Sequence, residues 1–202
     1  MNDFGLYVII TKPVLPYRRI AEICVARGIK MLQLREKQLN DREILEAAVE
    51  ITSVTDGTDT NFVMNDRADL AIISGADFLH LGQSDITVKE ARNLIGPRPI
   101  RIGLSTHSLQ QAREAIAQQP DYIGFGPIYP TPTKIIADPP VGTENLRKLL
   151  EFAECPVVAI GGIDNNTLGA VLGAGAKSPC LVRYLMESPD LEQRIAEIQS
   201  RL

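Results

Sequence analysis

The chain has 202 residues, of which 45% are hydrophobic and 23% charged, and its net charge is −4. This length and composition predict a single globular domain, residues 1–202, with a full hydrophobic core. The acidic balance argues against a general nucleic-acid-binding protein, and no apolar run approaches the roughly 20 residues of a membrane-spanning helix.

The first residues and the cysteines indicate the compartment. No basic segment precedes the short apolar run that begins at Leu6, so we expect no secretory signal. The three cysteines, Cys24, Cys155 and Cys180, are far apart, odd in number and without metal-ligand spacing. We therefore expect a cytoplasmic protein whose thiols are small core residues.

Short apolar runs alternate with amphipathic segments along the whole chain. The runs that predict strands are 6–11, 31–37, 61–64, 78–81, 101–104, 122–125, 157–160 and 180–182. Helices are expected between them, and four have a polar residue placed to cap the N-terminus: Asn40, Thr87, Ser108 and Thr143. Strands that are apolar throughout, alternating with amphipathic helices, are typical of a parallel sheet covered by helices.

Eight strand–helix units close most simply as a compact α/β TIM barrel, (β/α)8. A doubly wound open sheet is the alternative, and it predicts polar residues at one switch crevice. Here polar residues follow strands two through seven, which favours the mouth of a barrel. Pro179 stands at the start of the last predicted strand, so we expect an eighth strand that is short or distorted.

The stretch from Gly126 to Lys134 leaves the sixth strand with three prolines in six residues. Such a segment can neither continue a strand nor enter a helix, so a stiff, extended loop is expected. It carries the hydroxyls of Thr131 and Thr133 and the ammonium of Lys134, groups that suit a phosphate or pyrophosphate. A solvated proline-rich connector is equally compatible with this stretch alone.

The carboxyl ends of parallel strands meet at one end of a barrel, so the polar residues that follow the strands should converge. Three cations, Arg35, Lys37 and Lys134, suit a polyphosphate, whereas the carboxylates of Asp66 and Asp85 suit Mg2+. Gly161 and Gly162 precede a predicted helix, whose backbone N–H groups could bind a monophosphate. The residues thus indicate one pyrophosphate with Mg2+ and one monophosphate.

Several of these residues also have a structural interpretation. Asp66 could form only a surface pair with Arg67. His80 alternates with leucines and is expected inside the barrel rather than in catalysis. His107 could simply begin a helix, and Glu36, which faces away from Arg35, is expected to be structural.

Six motifs in this order resemble the thiamine-phosphate synthase family and cover nearly the whole chain. They are Gln33-Leu34-Arg35-Glu36-Lys37, Asn65-Asp66, Leu81-Gly82-Gln83-Ser84-Asp85, Gly103-Leu104-Ser105-Thr106-His107, the stretch from Gly126 to Lys134, and Ala159-Ile160-Gly161-Gly162-Ile163. The resemblance implies a TIM barrel that joins hydroxymethylpyrimidine diphosphate to a thiazole phosphate or its carboxylated form, releasing pyrophosphate. The aminopyrimidine would delocalise the charge left on its methylene, and the thiazole nitrogen would attack without a side-chain nucleophile.

The resemblance also implies roles for individual residues. The residues implied to hold the pyrimidine diphosphate are Gln33, Leu34, Arg35, Glu36, Lys37, Asn65, Ser105 and Lys134, of which Arg35, Lys37, Ser105 and Lys134 are the expected catalytic residues. Asp66 and Asp85 would bind Mg2+, the expected cofactor. The thiazole phosphate side would comprise Thr131, Pro132, Thr133, Gly162, Val182 and Arg183.

One position departs from the family pattern. After Val182 the family usually has a serine that helps to hold the thiazole phosphate, and this chain has Arg183. We expect Arg183 to face the phosphate. A thiazole tautomerase of the same fold, or a non-catalytic thiamine-precursor binding protein, are the alternatives, but retention of Arg35, Asp66, Asp85 and Lys134 favours the synthase. Small-molecule substrates are the expected partners, with a possible homo-oligomer.

Overall fold

Within the described residues, 3–131 and 139–202, eight parallel strands form a closed barrel. In this computed structural model each strand pairs with the next along the chain, and the last pairs with the first. The strands are β1 (Tyr7–Ile10), β2 (Met31–Leu34), β3 (Asn61–Asn65), β4 (Phe78–Leu81), β5 (Arg101–Thr106), β6 (Tyr122–Phe125), β7 (Val157–Ile160) and β8 (Pro179–Leu181). The TIM-barrel prediction is confirmed, and the open doubly wound sheet is excluded.

Helices surround the strands. They are α1 (Tyr17–Ala26), α2 (Asp41–Thr55), α3 (Ala68–Ser74), α4 (Val88–Ile95), α5 (Leu109–Ile116), α6 (Gly142–Phe152), α7 (Leu168–Gly173), α8 (Arg183–Met186) and α9 (Leu191–Gln199). The sequence did not predict the short α8, which begins two residues after β8 ends. None of the helices in the described part of the chain is long and apolar enough to cross a membrane.

Polar caps fix where three of these helices begin. Asn40 accepts from the backbone N–H of Glu43, whose side chain accepts from the Asn40 N–H in return, and Thr87 forms the same reciprocal pair with Glu90. Ser108 accepts from the N–H of Gln111. These three caps confirm the sequence prediction.

The predicted cap at Thr143 is wrong. Helix α6 begins at Gly142, so Thr143 lies inside its first turn, and the residue at the cap position, Val141, makes no side-chain cap bond. The backbone N–H groups of Val141 and Gly142 donate instead to the carbonyls of Pro127 and Ile128, at 2.8 and 3.2 Å. Tertiary hydrogen bonds to the loop after β6 thus set the start of this helix.

The strands alternate between two hydrophobic layers, as the two-residue period of a strand requires. One face packs against the helices in the larger core cluster, and the other fills the barrel interior with a smaller cluster. The interior cluster includes Tyr7, Phe78 and Tyr122. Gly103 makes room for Tyr122, since a Cβ atom there would lie 2.1 Å from Cζ of the ring.

Strand β8 is short, with three residues, as predicted. Pro179 occupies its first position, and the carbonyl of Ser178 accepts the N–H of Ala159 at 3.0 Å. Cys180 pairs with both Tyr7 and Ile160, so the barrel closes despite the proline. Cys24 and Cys180 are buried, as predicted for core residues, whereas Cys155 is only partly buried against the larger core cluster.

Replacing Asn40 by alanine should lower the free energy of unfolding by about 1 kcal/mol, because the α2 cap is lost. Thr143→Ala is the matched control and should change it by less than about 0.5 kcal/mol, since Thr143 caps nothing. Urea denaturation of both variants measures the difference. Equal losses would contradict the assignment of the caps.

Candidate active site

A cavity of about 320 Å3 opens at the carboxyl ends of the barrel strands. Most strands contribute to its lining, as the alternation of strands and helices predicted. Of the residues predicted to bind substrate, the lining includes Gln33, Arg35, Asn65, Ser105, Thr131, Gly162, Val182 and Arg183. The topology therefore brings residues from six different strand ends to one open cavity.

Three of the described residues predicted to bind substrate, Leu34, Glu36 and Lys37, do not line this space. Leu34 is the outward neighbour of Gln33, and its side chain is buried in the core cluster between strands and helices. The Glu36 carboxylate accepts from the Lys12 N–H at 2.8 Å and from the Tyr17 hydroxyl at 3.1 Å. Glu36 thus ties the end of β2 to the loop before α1, as its structural interpretation anticipated.

Three further residues, Pro132, Thr133 and Lys134, lie outside the described residues. Their implied roles in binding the two phosphate groups therefore stay predictions. Thr131, the last described residue before them, lines the cavity.

A carboxylate pair lies next to the cavity, beyond β3 and β4. Asp66 directly follows the lining residue Asn65 and pairs with the ammonium of Lys37. Asp85 accepts from the Gly82 N–H at 2.6 Å. Partial burial raises the pKa of Asp85, and the neighbouring Asp66 charge raises it further, whereas the Gly82 N–H opposes the change. The two carboxylates are therefore close enough to repel each other.

The backbone at Asp66 is unusual. Its φ of 59° lies in the left-handed region, which residues other than glycine seldom adopt. Hydrogen bonds hold it there, because its N–H donates to the His80 carbonyl at 2.7 Å and the next N–H donates to Asn65 at 2.7 Å. This strained turn aims the Asp66 side chain towards Lys37 and Asp85.

This pair suits Mg2+ by the chemistry of its donors. Mg2+ commonly takes one or two carboxylates and completes its shell with substrate phosphates and waters. Among the described residues no group of three or more histidine, cysteine or acidic side chains could hold a metal, so a complete protein cage is absent there. Asp66 and Asp85 therefore match a site that phosphate oxygens complete.

The loop after β6 is seated on the two glycines after β7. The N–H groups of Ile128 and Tyr129 donate to the carbonyls of Ile160 and Gly161, at 2.9 and 3.0 Å. A Cβ at Gly162 would lie 2.7 Å from Tyr129 and Pro130, so only glycine permits this contact. The backbone pairing places Thr131 and Gly162 in the same cavity.

The helix after β7 begins later than the glycine pair that was expected to bind a monophosphate, and that role stays a prediction. Helix α7 begins only at Leu168, and the Asp164 carboxylate already accepts from the N–H groups of Asn166 and Thr167, at 2.8 and 3.0 Å. The bond from Thr167 is the main cause that lowers the pKa of Asp164, and the charge of Arg183 adds to it. Asp164 thus closes the turn that precedes α7, and Arg183 supplies positive charge beside it.

Sequence reasoning missed two side chains below the cavity. The Tyr7 and Tyr122 hydroxyls are 2.8 Å apart, and Tyr122 is also 2.8 Å from His80 Nδ1. His80 lies inside the barrel, as predicted, and contacts Ser105 through Nε2. A signal was present, since a tyrosine in a strand buried on both faces needs a partner for its hydroxyl.

A family model described as thiamine monophosphate synthase matches residues 6–185 of the chain. The chain belongs to this family. The resemblance seen in the six motifs is therefore confirmed.

Relatives and one solved structure agree with the family model. The chain is 42% identical over 194 residues to thiamine-phosphate synthase of Gloeobacter violaceus, covering 96% of this chain and 56% of that relative. It is 37% identical over 203 residues to thiamine-phosphate synthase of Lawsonia intracellularis, covering 99% and 93%. Thiamine phosphate pyrophosphorylase from Pyrococcus furiosus superposes with a TM-score of 0.86 at 31% identity, covering 98% and 94%. These names support the synthase over both alternatives.

Gly126→Ala should destabilise the chain by about 1–3 kcal/mol and displace the loop, because the added Cβ would lie 2.0 Å from the Ile160 carbonyl oxygen. Gly173→Ala is the matched control. It adds the same methyl group to α7 with nothing within 4 Å, so stability should hold or rise slightly. Thermal unfolding measures the stability of both variants. A Gly126→Ala variant as stable as the wild type would contradict the packing of the loop against Ile160.

Proposed function

We propose that this chain couples an aminopyrimidine methyl diphosphate to a thiazole phosphate, releasing pyrophosphate and forming thiamine monophosphate. The observation that carries the proposal is the single cavity shared by Gln33, Arg35, Asn65, Ser105 and the loop after β6. These residues come from four of the six motifs of the synthase resemblance. The chain spans only 56% of its Gloeobacter relative, so any activity of a longer protein lies beyond this proposal.

The diphosphate would lie between Arg35 and the carboxylate pair. Arg35 offers a planar guanidinium that can hold two phosphate oxygens at once. Asp66 and Asp85 would hold Mg2+, which would neutralise the charge that develops on the leaving pyrophosphate. Lys37 pairs with Asp66 in the structure and would keep this carboxylate in place while adding positive charge. Lys134 lies outside the described residues, and its role in binding the diphosphate stays a prediction.

The pyrimidine ring would enter the deep end of the cavity. Gln33 is 1% exposed, and its Oε1 has no hydrogen-bond partner among the described residues. An amino group of the ring would satisfy this atom. Apolar side chains of Ile9, Ile160 and Val182 line the same space and would exclude water from a cationic methylene.

The thiazole phosphate would lie towards β7 and β8, near Thr131, Gly162 and Arg183. Arg183 begins α8 and lines the cavity, so it can place a fixed positive charge where the family usually has a hydroxyl. A charged donor binds phosphate more strongly than a neutral one. The substitution is therefore compatible with binding of this substrate.

The tautomerase alternative finds less support in the site. A tautomerase needs no diphosphate or metal site, yet Asp66 and Asp85 form a carboxylate pair beside the cavity that Arg35 lines. His107 kept that alternative open, but its Nδ1 lies 2.6 Å from the Gly126 carbonyl and anchors the loop after β6. A cytoplasmic location and a homo-oligomer stay predictions.

Incubating the chain with both substrates and Mg2+ should yield thiamine monophosphate and pyrophosphate in equal amounts, and EDTA should abolish both. Asp85→Asn should lower kcat/KM by at least about 100-fold, because the metal and its charge are lost. Asp56→Asn, an exposed carboxylate at the end of α2, is the control and should match the wild type.

Thiamine monophosphate and pyrophosphate would be measured together by chromatography. Binding of the pyrimidine diphosphate without turnover would contradict the proposed function and favour the non-catalytic binding protein. Full activity in EDTA would contradict the role given to Asp66 and Asp85.

A further inference from the structure

Five polar side chains form one continuous line of hydrogen bonds across the barrel interior. Gln33 Nε2 lies 2.8 Å from the Tyr7 hydroxyl, which lies 2.8 Å from that of Tyr122. Tyr122 in turn lies 2.8 Å from His80 Nδ1, and His80 Nε2 lies 2.8 Å from Ser105 Oγ. We name this line the interior relay. Both of its ends, Gln33 and Ser105, line the cavity.

The chemistry at one end sets the direction of every bond in the relay. An amide nitrogen can only donate, so the Tyr7 oxygen accepts from Gln33 and the Tyr7 proton is directed to Tyr122. Burial is the main cause that raises the pKa of both phenols, so each keeps its proton. Tyr122 then donates to His80 Nδ1, because otherwise its buried proton would have no acceptor.

The other end follows from the histidine. A neutral imidazole that accepts at Nδ1 carries its proton on Nε2, so His80 donates to Ser105 Oγ. The Ser105 oxygen is thereby an acceptor within the relay. Its own proton has no acceptor among the described residues and can be offered to a ligand in the cavity.

The opposite orientation of the Gln33 amide would reverse all four bonds. Gln33 Oε1 would then accept from Tyr7, and His80 would carry its proton on Nδ1. Ser105 would donate its own proton to His80 Nε2. In the observed orientation Gln33 Oε1 is buried and unpartnered in the described part of the chain, and Gln33 is a lining residue of the cavity. An unsatisfied buried acceptor is unfavourable unless a ligand donates to it.

The aromatic rings of the relay are held in place by packing. The His80 and Tyr122 rings stack at 25° with centroids 5.4 Å apart, and Phe4 meets Tyr122 edge-on at 5.5 Å. Two glycines leave room for these rings. A Cβ at Gly103 would lie 2.1 Å from Tyr122, and a Cβ at Gly124 would lie 3.4 Å from His80. The relay is thus built into the barrel and exists before a ligand arrives.

We propose that the interior relay fixes the hydrogen-bonding polarity of the cavity floor, with an acceptor at Gln33 and a donor at Ser105, and that Tyr7, Tyr122 and His80 are positioning residues for the pyrimidine substrate. The inference rests on the proposed function for the identity of that ligand. An aminopyrimidine carries an amino donor and ring-nitrogen acceptors, which match the two ends. The same polarity disfavours a ring with a carbonyl in place of the amino group.

The tautomer of His80 tests the polarity directly, without any ligand. The chain has two histidines, so a nitrogen-15 NMR spectrum contains two imidazole spin systems, and His107→Gln identifies that of His80. The expected result is a proton on Nε2 and none on Nδ1. A proton on Nδ1 would overturn the proposal, because the relay would then run in the opposite direction.

Tyr122→Phe tests the positioning role, because it removes one hydroxyl and keeps the ring. It should weaken calorimetric binding of the pyrimidine diphosphate about tenfold and raise its KM, while the KM for the thiazole phosphate and the binding of inorganic pyrophosphate with Mg2+ hold. The His80 spectrum should also lose its single tautomer. Tyr7→Phe should act in the same direction.

Thr60→Val is the matched control, because it removes a buried hydroxyl that donates to the Ile29 carbonyl outside the relay. It should leave the binding of both ligands at the wild-type level. If Tyr122→Phe and Tyr7→Phe bind the pyrimidine compound as the wild type does, the positioning role is wrong. If the wild-type chain binds pyrophosphate but not the pyrimidine compound, the proposed function is wrong. The His80 tautomer would still test the polarity of the relay in that case.

Discussion

Packing around the Tyr122 ring is the contact on which the barrel interior and the site above it both depend. A closed barrel of eight strands has an interior that side chains must fill. Here Tyr122 lies over Gly103, meets Phe4 and Phe78 edge-on and stacks on His80. These rings fill the barrel interior, and the polar atoms of Tyr122 and His80 form hydrogen bonds beneath the cavity.

A second constraint is the close packing of the loop after β6 against the two glycines after β7. Both glycines have positive φ, and side chains there would strike the loop. Backbone hydrogen bonds at Ile128 and Tyr129 fix the loop, and Thr131, two residues further on, lines the cavity. The loop from Pro127 to Pro130 and the glycine pair therefore form one structural feature, which joins the ends of β6 and β7.

The sequence predicted the barrel and most of its cavity because both follow from periodicity. Apolar runs alternating with helices imply parallel strands, and residues such as Arg35, Asn65 and Ser105 converge because parallel strands end on one side. Alternation also separates Leu34 from Gln33, so the outward position of Leu34 was predictable, although the resemblance had suggested a contact. The partners of Glu36 and the start of α6 were not predictable, because contacts distant in sequence determine them.

The central claim is that the cavity holds the diphosphate at Arg35 and the carboxylate pair, with the pyrimidine ring on the floor between Gln33 and Ser105. A crystal structure with the pyrimidine diphosphate and Mg2+ tests it most directly. We predict a metal bound by Asp66, Asp85 and diphosphate oxygens, and an amino group within hydrogen-bond distance of Gln33 Oε1. A ring bound outside the barrel mouth, or a metal that neither aspartate touches, would contradict the account.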